Sequence, residues 1–236
     1  MSKRPAIVLF DIDGTLIRAG GAGKRAITDA FFAVCGVPDA FDSQNFSGRT
    51  DPDILAVAAN EHLDRELTSE EHQSILDAYL SRLKETLHSH PYVVLPGVVQ
   101  ALTLLSQTTH VALGLATGNV QPAAYLKLAR GGLDRFFSFG GFGSDARCRA
   151  TLTAVGFDRG FSVVAERSQT LFPFGSPASV TKIVVGDSPY DIRAAKAAGA
   201  TSIALCTGWS TREELLMEQP DFLLENLLDT RWWLLI

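Results

Sequence analysis

The sequence predicts an α/β fold in which a doubly wound parallel sheet is joined to an inserted α-helical cap. Short runs rich in Val, Ile and Leu alternate with helical patterns, which is typical of parallel strands joined by right-handed crossovers. The segment between the first two strands is far longer than one crossover helix requires. The predicted fold class is therefore a Rossmann-like core with an α-helical cap domain.

Apolar runs predict buried parallel strands, because a strand that is covered on both faces carries apolar side chains at consecutive positions. The predicted strands cover residues 6–10, 110–116, 182–186 and 201–206. Helical patterns accompany them at residues 97–107, 121–129 and 191–198. Strands and helices thus alternate along the chain, as a doubly wound sheet requires.

The segment from about 18 to 92 is rich in Ala and Leu and has no convincing strand pattern. Helical patterns at 51–61 and 69–87 predict a helical cap that is inserted directly after the first strand. Prolines near residue 92 break helices and mark the return of the chain to the sheet. We therefore predict a core domain of residues 1–17 and 93–236 and a cap domain of residues 18–92.

The run GGAGK at residues 20–24 has the composition of a phosphate-binding loop. It lacks the spacing of that motif, because Arg25 stands where a Ser or Thr is needed. We interpret the run as a flexible hinge into the cap.

Composition excludes several classes of partner. The chain has 21 Lys and Arg against 26 Asp and Glu, with a net charge of -5 and no basic run, so we expect no nucleic acid partner. No segment approaches the roughly 20 apolar residues of a membrane span. The 3 cysteines are odd in number and widely spaced, which favours reduced thiols in a cytoplasmic protein.

Polar residues follow three of the predicted strands. Asp11 follows the first strand, Thr117 the second and Asp187 the third. Ligands bind at the carboxyl ends of strands in open α/β sheets, so we expect these side chains to meet in one crevice. Asp11 and Asp13 also lie next to a buried strand, where two charges are costly unless something compensates them.

The carboxylates of Asp11, Asp187 and Asp191 form an all-oxygen set. Such a set suits a hard cation, and Mg²⁺ is the expected ion because it accepts carboxylates together with a substrate phosphate. Asp191 lies at a helix start four residues after Asp187, so it can point to the same place. Capping of that helix is the alternative role for Asp191.

Residues Thr117, Gly118 and Asn119 follow a strand and open a helix. Backbone N–H groups and a hydroxyl can hold an anion there, and glycine allows close approach. A plain strand-to-helix turn is the alternative. A metal site, an anion pocket and a carboxylate nucleophile together predict phosphoryl transfer through an aspartyl-phosphate.

The motifs DIDGTL at 11–16, LATGN at 115–119 and VVGDSPYD at 184–191 resemble the first, second and fourth motifs of the haloacid dehalogenase-like hydrolase superfamily. Their order and spacing fit, and the similarity runs from about residue 5 to 225. The chain looks like a phosphoglycolate phosphatase-like member with a helical cap.

The resemblance implies a role for each matching residue. Asp11 would be the nucleophile, and Asp13 would be the general acid and then the general base. Thr117 would hold the phosphoryl oxygens. Mg²⁺ would lie between the Asp11 carboxylate, the Asp13 backbone carbonyl and Asp187, with Asp191 helping directly or through water. Dehalogenation is disfavoured, because the dehalogenases proper lack the second aspartate.

The third motif of the superfamily is usually a Lys followed by Pro, and residues 142–149 contain no such pair. Arg149 is the preferred substitute because it directly precedes a helical pattern, and Arg147 is the second choice. A surface salt bridge is the alternative role for Arg149. Lys182 and Lys127 are judged too distant, at about 16 Å along a strand and about 15 Å along a helix.

Residues 46–51 are predicted to form a loop that faces the substrate. Arg49 in this loop would meet a second anionic group, or it would be a solvated arginine at a helix start. Gly118, Asn119 and Arg147 complete the predicted substrate-binding residues.

The predicted function is Mg²⁺-dependent hydrolysis of a small phosphorylated metabolite, either phosphoglycolate-like or a sugar phosphate. One alternative is β-phosphoglucomutase-like transfer of the phosphoryl group to a sugar, and another is a non-catalytic scaffold of the same fold. The expected partner is the metabolite, with no nucleic acid and no membrane. The sequence leaves monomer and homodimer open.

Overall fold

The computed structural model describes residues 4–168 and 180–235, and the parts of the predicted core at 1–3, 169–179 and 236 lie outside the described residues. The strands are β1 (Ala6–Phe10), β2 (Ile17–Arg18), β3 (Val93–Val94), β4 (Val111–Thr117), β5 (Gly140–Phe142), β6 (Thr181–Gly186), β7 (Thr201–Leu205) and β8 (Phe222–Leu224). The helices are α1 (Ala22–Cys35), α2 (Asp51–Leu63), α3 (Ser69–Ser89), α4 (Val98–Ser106), α5 (Gln121–Arg130), α6 (Arg149–Ser168), α7 (Pro189–Ala197) and α8 (Arg212–Met217).

The main sheet has six parallel strands in the order β5-β4-β1-β6-β7-β8. Strand β1 lies at the centre, where Ala6 pairs with Val111 on one side and with Thr181 on the other. Alternate residues of β1 enter two hydrophobic clusters on opposite faces of the sheet. This burial on both faces explains the unbroken apolar run. The predicted α/β, Rossmann-like fold class is confirmed.

Strands β2 and β3 form a separate antiparallel pair, with Ile17 opposite Val94 and Arg18 opposite Val93. The chain therefore leaves the sheet and returns to it through two adjacent backbone segments. Between them, α1 packs against α3 through a buried apolar layer. We propose that residues 18–92 form a cap domain and that residues 1–17 and 93–236 form the core domain.

The glycine run at residues 20–24 lies at the start of the helical segment, by which we mean residues 18–92. It is only partly the hinge that its composition predicts. Gly20 and Gly21 have positive φ angles of 55° and 87°. Helix α1 begins at Ala22, so the rest of the run forms its first turn. A Cβ on Gly20 would lie 2.5 Å from the carbonyl oxygen of Pro91, which leaves no room for another side chain.

The largest differences from the sequence-based predictions concern short elements. Strands β5 and β8 have 3 residues each, and β2 and β3 have 2 each. Runs of that length are too short to show an apolar period. Strand β4 is shifted by one residue from 110–116, and α7 begins at Pro189 rather than at 191. Among the described residues, no helix is long and apolar enough to cross a membrane.

Candidate active site

The three carboxylates predicted to meet do lie together. Asp11 follows β1 and Asp187 follows the neighbouring strand β6, while Asp191 lies in the first turn of α7. Each offers a carboxylate oxygen, and these atoms lie within 4.8 Å of one another. All three residues are buried. The parallel sheet therefore brings Asp11 together with Asp187 and Asp191, which lie far from it in sequence, in one acidic cluster.

Glycines allow the chain to close around Asp187. A Cβ on Gly14 would lie 2.4 Å from Asp187 Oδ2, and a Cβ on Gly208 would lie 1.7 Å from the same atom. Gly14 also has a φ of 88°, a conformation that other residues rarely adopt. The hydroxyl of Thr15 donates to Asp187 Oδ1 at 2.7 Å. Gly208, which lies on the loop after β7, was not identified from the sequence.

Arg149 supplies the positive charge of the cluster. It is the first residue of α6, and only 7% of it is exposed. One of its terminal nitrogens lies 2.8 Å from Asp11 Oδ1 and donates to Asp191 Oδ1 at 2.6 Å. The same nitrogen donates to the carbonyl oxygen of Ala116 at 2.9 Å. The structure therefore places Arg149, rather than Arg147, beside the carboxylates.

Burial raises the pKa values of the Asp11 and Asp187 carboxyl groups. The pKa of Asp11 rises to about 6 through burial, with the Arg149 charge acting in the opposite direction. Burial raises the pKa of Asp187 well above its ordinary value, and the charges of Asp11 and Asp191 add to the rise. Three carboxylates and one guanidinium leave an excess of negative charge. The donor set, all oxygen and net anionic, fits a divalent cation.

Asp191 has two roles at once. Its Oδ2 accepts from the backbone N–H of Ser188 at 3.0 Å and from the Ser188 hydroxyl at 2.7 Å, which completes a capping box at the start of α7. Its Oδ1 accepts from Arg149. Both oxygens thus have protein partners, so Asp11 and Asp187 have more capacity to hold a cation directly.

Thr117 and Asn119 form the polar floor beside the cluster. Thr117 is the last residue of β4 and is fully buried. Its Oγ1 accepts from the Asn119 side-chain amide at 2.8 Å and from the Asn119 backbone N–H at 3.3 Å. The hydroxyl hydrogen of Thr117 therefore remains available to a ligand oxygen.

Gly118 allows close approach, but its neighbour is the protein itself. A Cβ on Gly118 would lie 2.0 Å from the carbonyl oxygen of Arg49. The backbone N–H of Asp51 donates to the Gly118 carbonyl at 2.8 Å, and the N–H of Val120 donates to Asp51 Oδ2 at 2.9 Å. The glycine therefore lets the start of α2 dock on the sheet, a contact that the motif alone did not predict.

The other two predicted arginines lie in different places. Arg49 lines the cavity above the cluster, where its Nε lies 2.8 Å from Asp53 Oδ2. Arg147 is exposed and borders a different cavity, between α2, α3 and the loop at residues 143–147. Its backbone carbonyl accepts from the Thr50 hydroxyl at 3.1 Å. The structure does not bring the Arg147 side chain to the strand ends.

Lys127 lies in the site, so its exclusion on distance was wrong. Its Nζ donates to Asp13 Oδ2 and to Asn119 Oδ1, at 2.6 Å each. The predicted distance counts only the rise along α5 from Thr117. A lysine side chain leans back toward the start of its helix, and that of Lys127 reaches Asp13 in the loop after β1. One signal was available: Lys127 occupies the buried stripe of α5 with Ala123, Ala124 and Leu128.

Lys182, the other lysine judged too distant, is outside the cluster. Its amine bonds to the carbonyl oxygen of Ala198 and lies 5.5 Å from the ring centre of Phe157. Its exclusion therefore agrees with the structure.

A cavity of about 550 Å³ lies between the strand ends and the helical segment. Asp11, Asp13, Thr117, Lys127 and Arg149 line it from the sheet side. The helical segment contributes Gly23, Arg49, Asp51 and Tyr79, and Trp209 borders the cavity from the loop after β7. The chemistry-bearing side chains therefore share one space that is large enough for a small metabolite.

Comparison with known proteins shows which family this chain resembles. The profile of the family described as haloacid dehalogenase-like hydrolase matches residues 5–199, and a second, HAD-hydrolase-like profile matches residues 170–230. Phosphoglycolate phosphatase of Pseudomonas savastanoi is 28% identical over 95% of this chain and 78% of that protein. Phosphoglycolate phosphatase of Escherichia coli K12 is 26% identical over 94% of this chain and 89% of that protein.

Solved structures share the fold. CbbY from Rhodobacter sphaeroides, solved with xylulose-1,5-bisphosphate, aligns with a TM-score of 0.70 at 19% identity over 96% of both chains. A predicted phosphoglycolate phosphatase from Haemophilus somnus aligns with a TM-score of 0.65 at 21% identity over 97% of both chains. The solved structures show the fold, and the profile that matches residues 5–199 shows that the chain belongs to the haloacid dehalogenase-like hydrolase family, as a phosphoglycolate phosphatase-like member of the phosphoric monoester hydrolase class.

Proposed function

We propose that the chain is a Mg²⁺-dependent phosphatase that hydrolyses a small phosphorylated metabolite through an aspartyl-phosphate on Asp11. The observation that carries this proposal is the position of the Asp11 carboxylate. It borders the cavity, lies 2.8 Å from the Arg149 guanidinium and shares the acidic cluster with Asp187. A carboxylate so placed can be ionised and aimed at an electrophile.

In the first half-reaction, an Asp11 oxygen attacks phosphorus, and the ester bond between phosphorus and the leaving oxygen breaks. Asp13 gives its proton to that oxygen, so the product leaves as an alcohol. Arg149 and the Thr117 hydroxyl stabilise the charge that develops on the other phosphoryl oxygens. The result is a phosphoryl group bonded to Asp11.

In the second half-reaction, Asp13 takes a proton from water, and the water oxygen attacks the same phosphorus. The bond between phosphorus and the Asp11 oxygen breaks, which releases inorganic phosphate and restores the Asp11 carboxylate. Asp13 ends with the proton that it donates in the next cycle. One residue thus serves as acid and base in turn.

The acidic cluster would hold Mg²⁺ through the carboxylates of Asp11 and Asp187 and the backbone carbonyl of Asp13, with Asp191 helping directly or through water. When bound, the ion supplies positive charge that offsets the charges of the carboxylates and the phosphoryl group. When no ion is bound, burial raises the pKa values of the Asp11 and Asp187 carboxyl groups.

The helical segment supports the choice of a small substrate. The contacts of Asp51 with Gly118 and Val120 hold the start of α2 on the sheet. The helical segment therefore covers the cavity. Arg49 faces this cavity, and a second anionic group such as a carboxylate would suit it. The substrate class is therefore phosphoglycolate-like or a sugar phosphate. All three cysteines are free thiols, which fits the proposed cytoplasmic location.

The test is release of inorganic phosphate from p-nitrophenyl phosphate and from a panel of phosphorylated acids and sugars. We expect steady turnover with Mg²⁺, none with a chelator, and at least about a thousandfold loss of kcat in Asp11→Asn. Conversion of a sugar phosphate only to its isomer would favour the mutase. No release by the wild type, or full activity in Asp11→Asn, would overturn the proposal.

A further inference from the structure

We infer that Lys127 is a positioning residue that fixes the Asp13 carboxyl group in the orientation needed for proton transfer to and from the substrate. The inference rests on the proposed function, in which Asp13 is the acid and base. It concerns a residue on α5, outside the motifs that carry the family resemblance.

Lys127, Asn119 and Asp13 form a closed triangle of hydrogen bonds. The Lys127 amine donates to Asp13 Oδ2 and to Asn119 Oδ1 at 2.6 Å each. The Asn119 side-chain amide donates to the same Asp13 Oδ2 at 2.8 Å. Two independent donors therefore hold one oxygen of Asp13. Asn119 also bonds to Thr117, so the triangle is anchored to the end of β4.

The arrangement makes the two oxygens of Asp13 unequal. Oδ2 accepts two hydrogen bonds, whereas Oδ1 has no hydrogen bond to the described residues. Asp13 lines the cavity and its side chain is 29% exposed. The terminal torsion of an aspartate is broad, so without the two donors its carboxyl group would rotate. We conclude that Oδ1 is the oxygen that meets the leaving group and the water.

The surroundings of Lys127 keep its amine at this point. The residue is 5% exposed. Gly23 of α1 lies against the amine, because a Cβ there would be 3.2 Å from Nζ. Asp51 of α2 is close enough for the Lys127 charge to lower the pKa of its carboxyl. A buried ammonium needs such partners, and here they come from both the sheet side and the helical segment.

Leaving-group dependence separates positioning of the acid from a merely structural ion pair. An alkyl phosphate needs a proton on its leaving oxygen, whereas p-nitrophenolate leaves readily without one. The ratio kcat/KM reports the steps through departure of the leaving group, which is the first irreversible step. Loss of acid positioning therefore lowers kcat/KM for an alkyl phosphate far more than for p-nitrophenyl phosphate.

The variants are Lys127→Met, which removes the donor, and Lys127→Gln, which keeps a neutral donor. Lys84→Met, on the exposed side of α3, is the matched control. For Lys127→Met we expect a loss of about 10- to 100-fold in kcat/KM on the alkyl ester and less than about threefold on the aryl ester. Lys127→Gln is expected to recover part of the loss, and the control to match the wild type.

A double-mutant cycle tests whether Lys127 acts through Asp13. In an Asp13→Asn background, Lys127→Met is expected to cost less than about threefold further on the alkyl ester. Equal losses on both esters, or a full additional loss in the Asp13→Asn background, would overturn the inference. Thermal unfolding checks that the variants fold. If Lys127→Met does not fold, Lys127→Gln replaces it in the comparison of the two esters and in the double-mutant cycle.

The failure of this inference is distinguishable from failure of the proposed function. Activity that survives Asp11→Asn, or no activity in the wild type, overturns the proposed function. A wild type that depends on Mg²⁺ and on Asp11, combined with additive losses at Lys127 and Asp13, overturns only the role of Lys127.

Discussion

Arg149 and Lys127 are two buried cations that each pair with one carboxylate of the Asp11–Asp13 motif. Their side chains are equally buried, at 6% exposure each, but their partners differ. Asp11 is 8% exposed and belongs to the acidic cluster, whereas Asp13 is 29% exposed and faces the cavity. Arg149 therefore compensates charge that water cannot reach, and Lys127 orients a group that water and substrate must reach.

The largest expected effect in this comparison follows removal of the Arg149 charge. Arg149→Met leaves the buried carboxylates of Asp11 and Asp191 without a cation, and breaking such a pair costs about 3–5 kcal/mol. Urea unfolding in the presence of a chelator measures this cost. Mg²⁺ is expected to restore much of the lost stability, because it binds the same carboxylates. A variant as stable as the wild type without Mg²⁺ would contradict the account.

Asp51 sharpens the comparison on the Lys127 side, because its pKa of about 6 is raised by burial from an ordinary value of 3.8. The folded state then holds a proton that the unfolded state has lost, so stability falls as pH rises from about 4 to about 6. Asp51→Asn removes this dependence. It is expected to be more stable than the wild type above pH 6, by up to about 3 kcal/mol, and no more stable below pH 4.

The measurement is the difference in free energy of unfolding between Asp51→Asn and the wild type across this pH range. Both proteins are measured with a chelator, so that metal binding does not enter. Because Asp11 and Asp187 titrate in both proteins, their contributions cancel in the difference. A difference that does not change with pH would contradict the raised pKa of Asp51.

The smallest expected effect on stability is that of Lys127→Met. Water can solvate the half-buried Asp13 after the loss, so we expect a cost of about 1–3 kcal/mol, below that of Arg149→Met. Mg²⁺ is expected to recover less of it than in Arg149→Met, because the Asp13 side chain is not part of the acidic cluster. Urea unfolding of both variants, with and without Mg²⁺, makes the comparison. A larger cost for Lys127→Met would reverse the assignment of the two cations.

The same two residues show what the sequence can predict. Arg149 is predicted because it directly precedes a helical pattern and can project from the first turn of that helix. The sequence-based prediction excludes Lys127 because it equates distance along a helix with distance from the site. That estimate ignores where the helix runs beside the Asp13 loop and how far a lysine reaches. Its place in the apolar stripe of α5 was the better signal.

The fold follows the same division. Long apolar runs predicted β1, β4, β6 and β7 to within about a residue at most ends, because burial on both faces leaves a continuous pattern. The short strands β2 and β3 carry too few residues for any pattern, although they define where the helical segment leaves the sheet. The docking of Arg49 on Gly118 depends on residues far apart in sequence, so no local signal predicts it.

The most direct test of the central claim is trapping of the phosphoryl group on Asp11. Asp13→Asn removes the base that activates water, and p-nitrophenyl phosphate still phosphorylates the enzyme because its leaving group needs no proton. Mass spectrometry of the acid-quenched Asp13→Asn protein, incubated with Mg²⁺ and this ester, is expected to find one added phosphoryl group on the peptide that contains Asp11. A phosphoryl group on another residue, or none at all while phosphate is still released, would contradict the account.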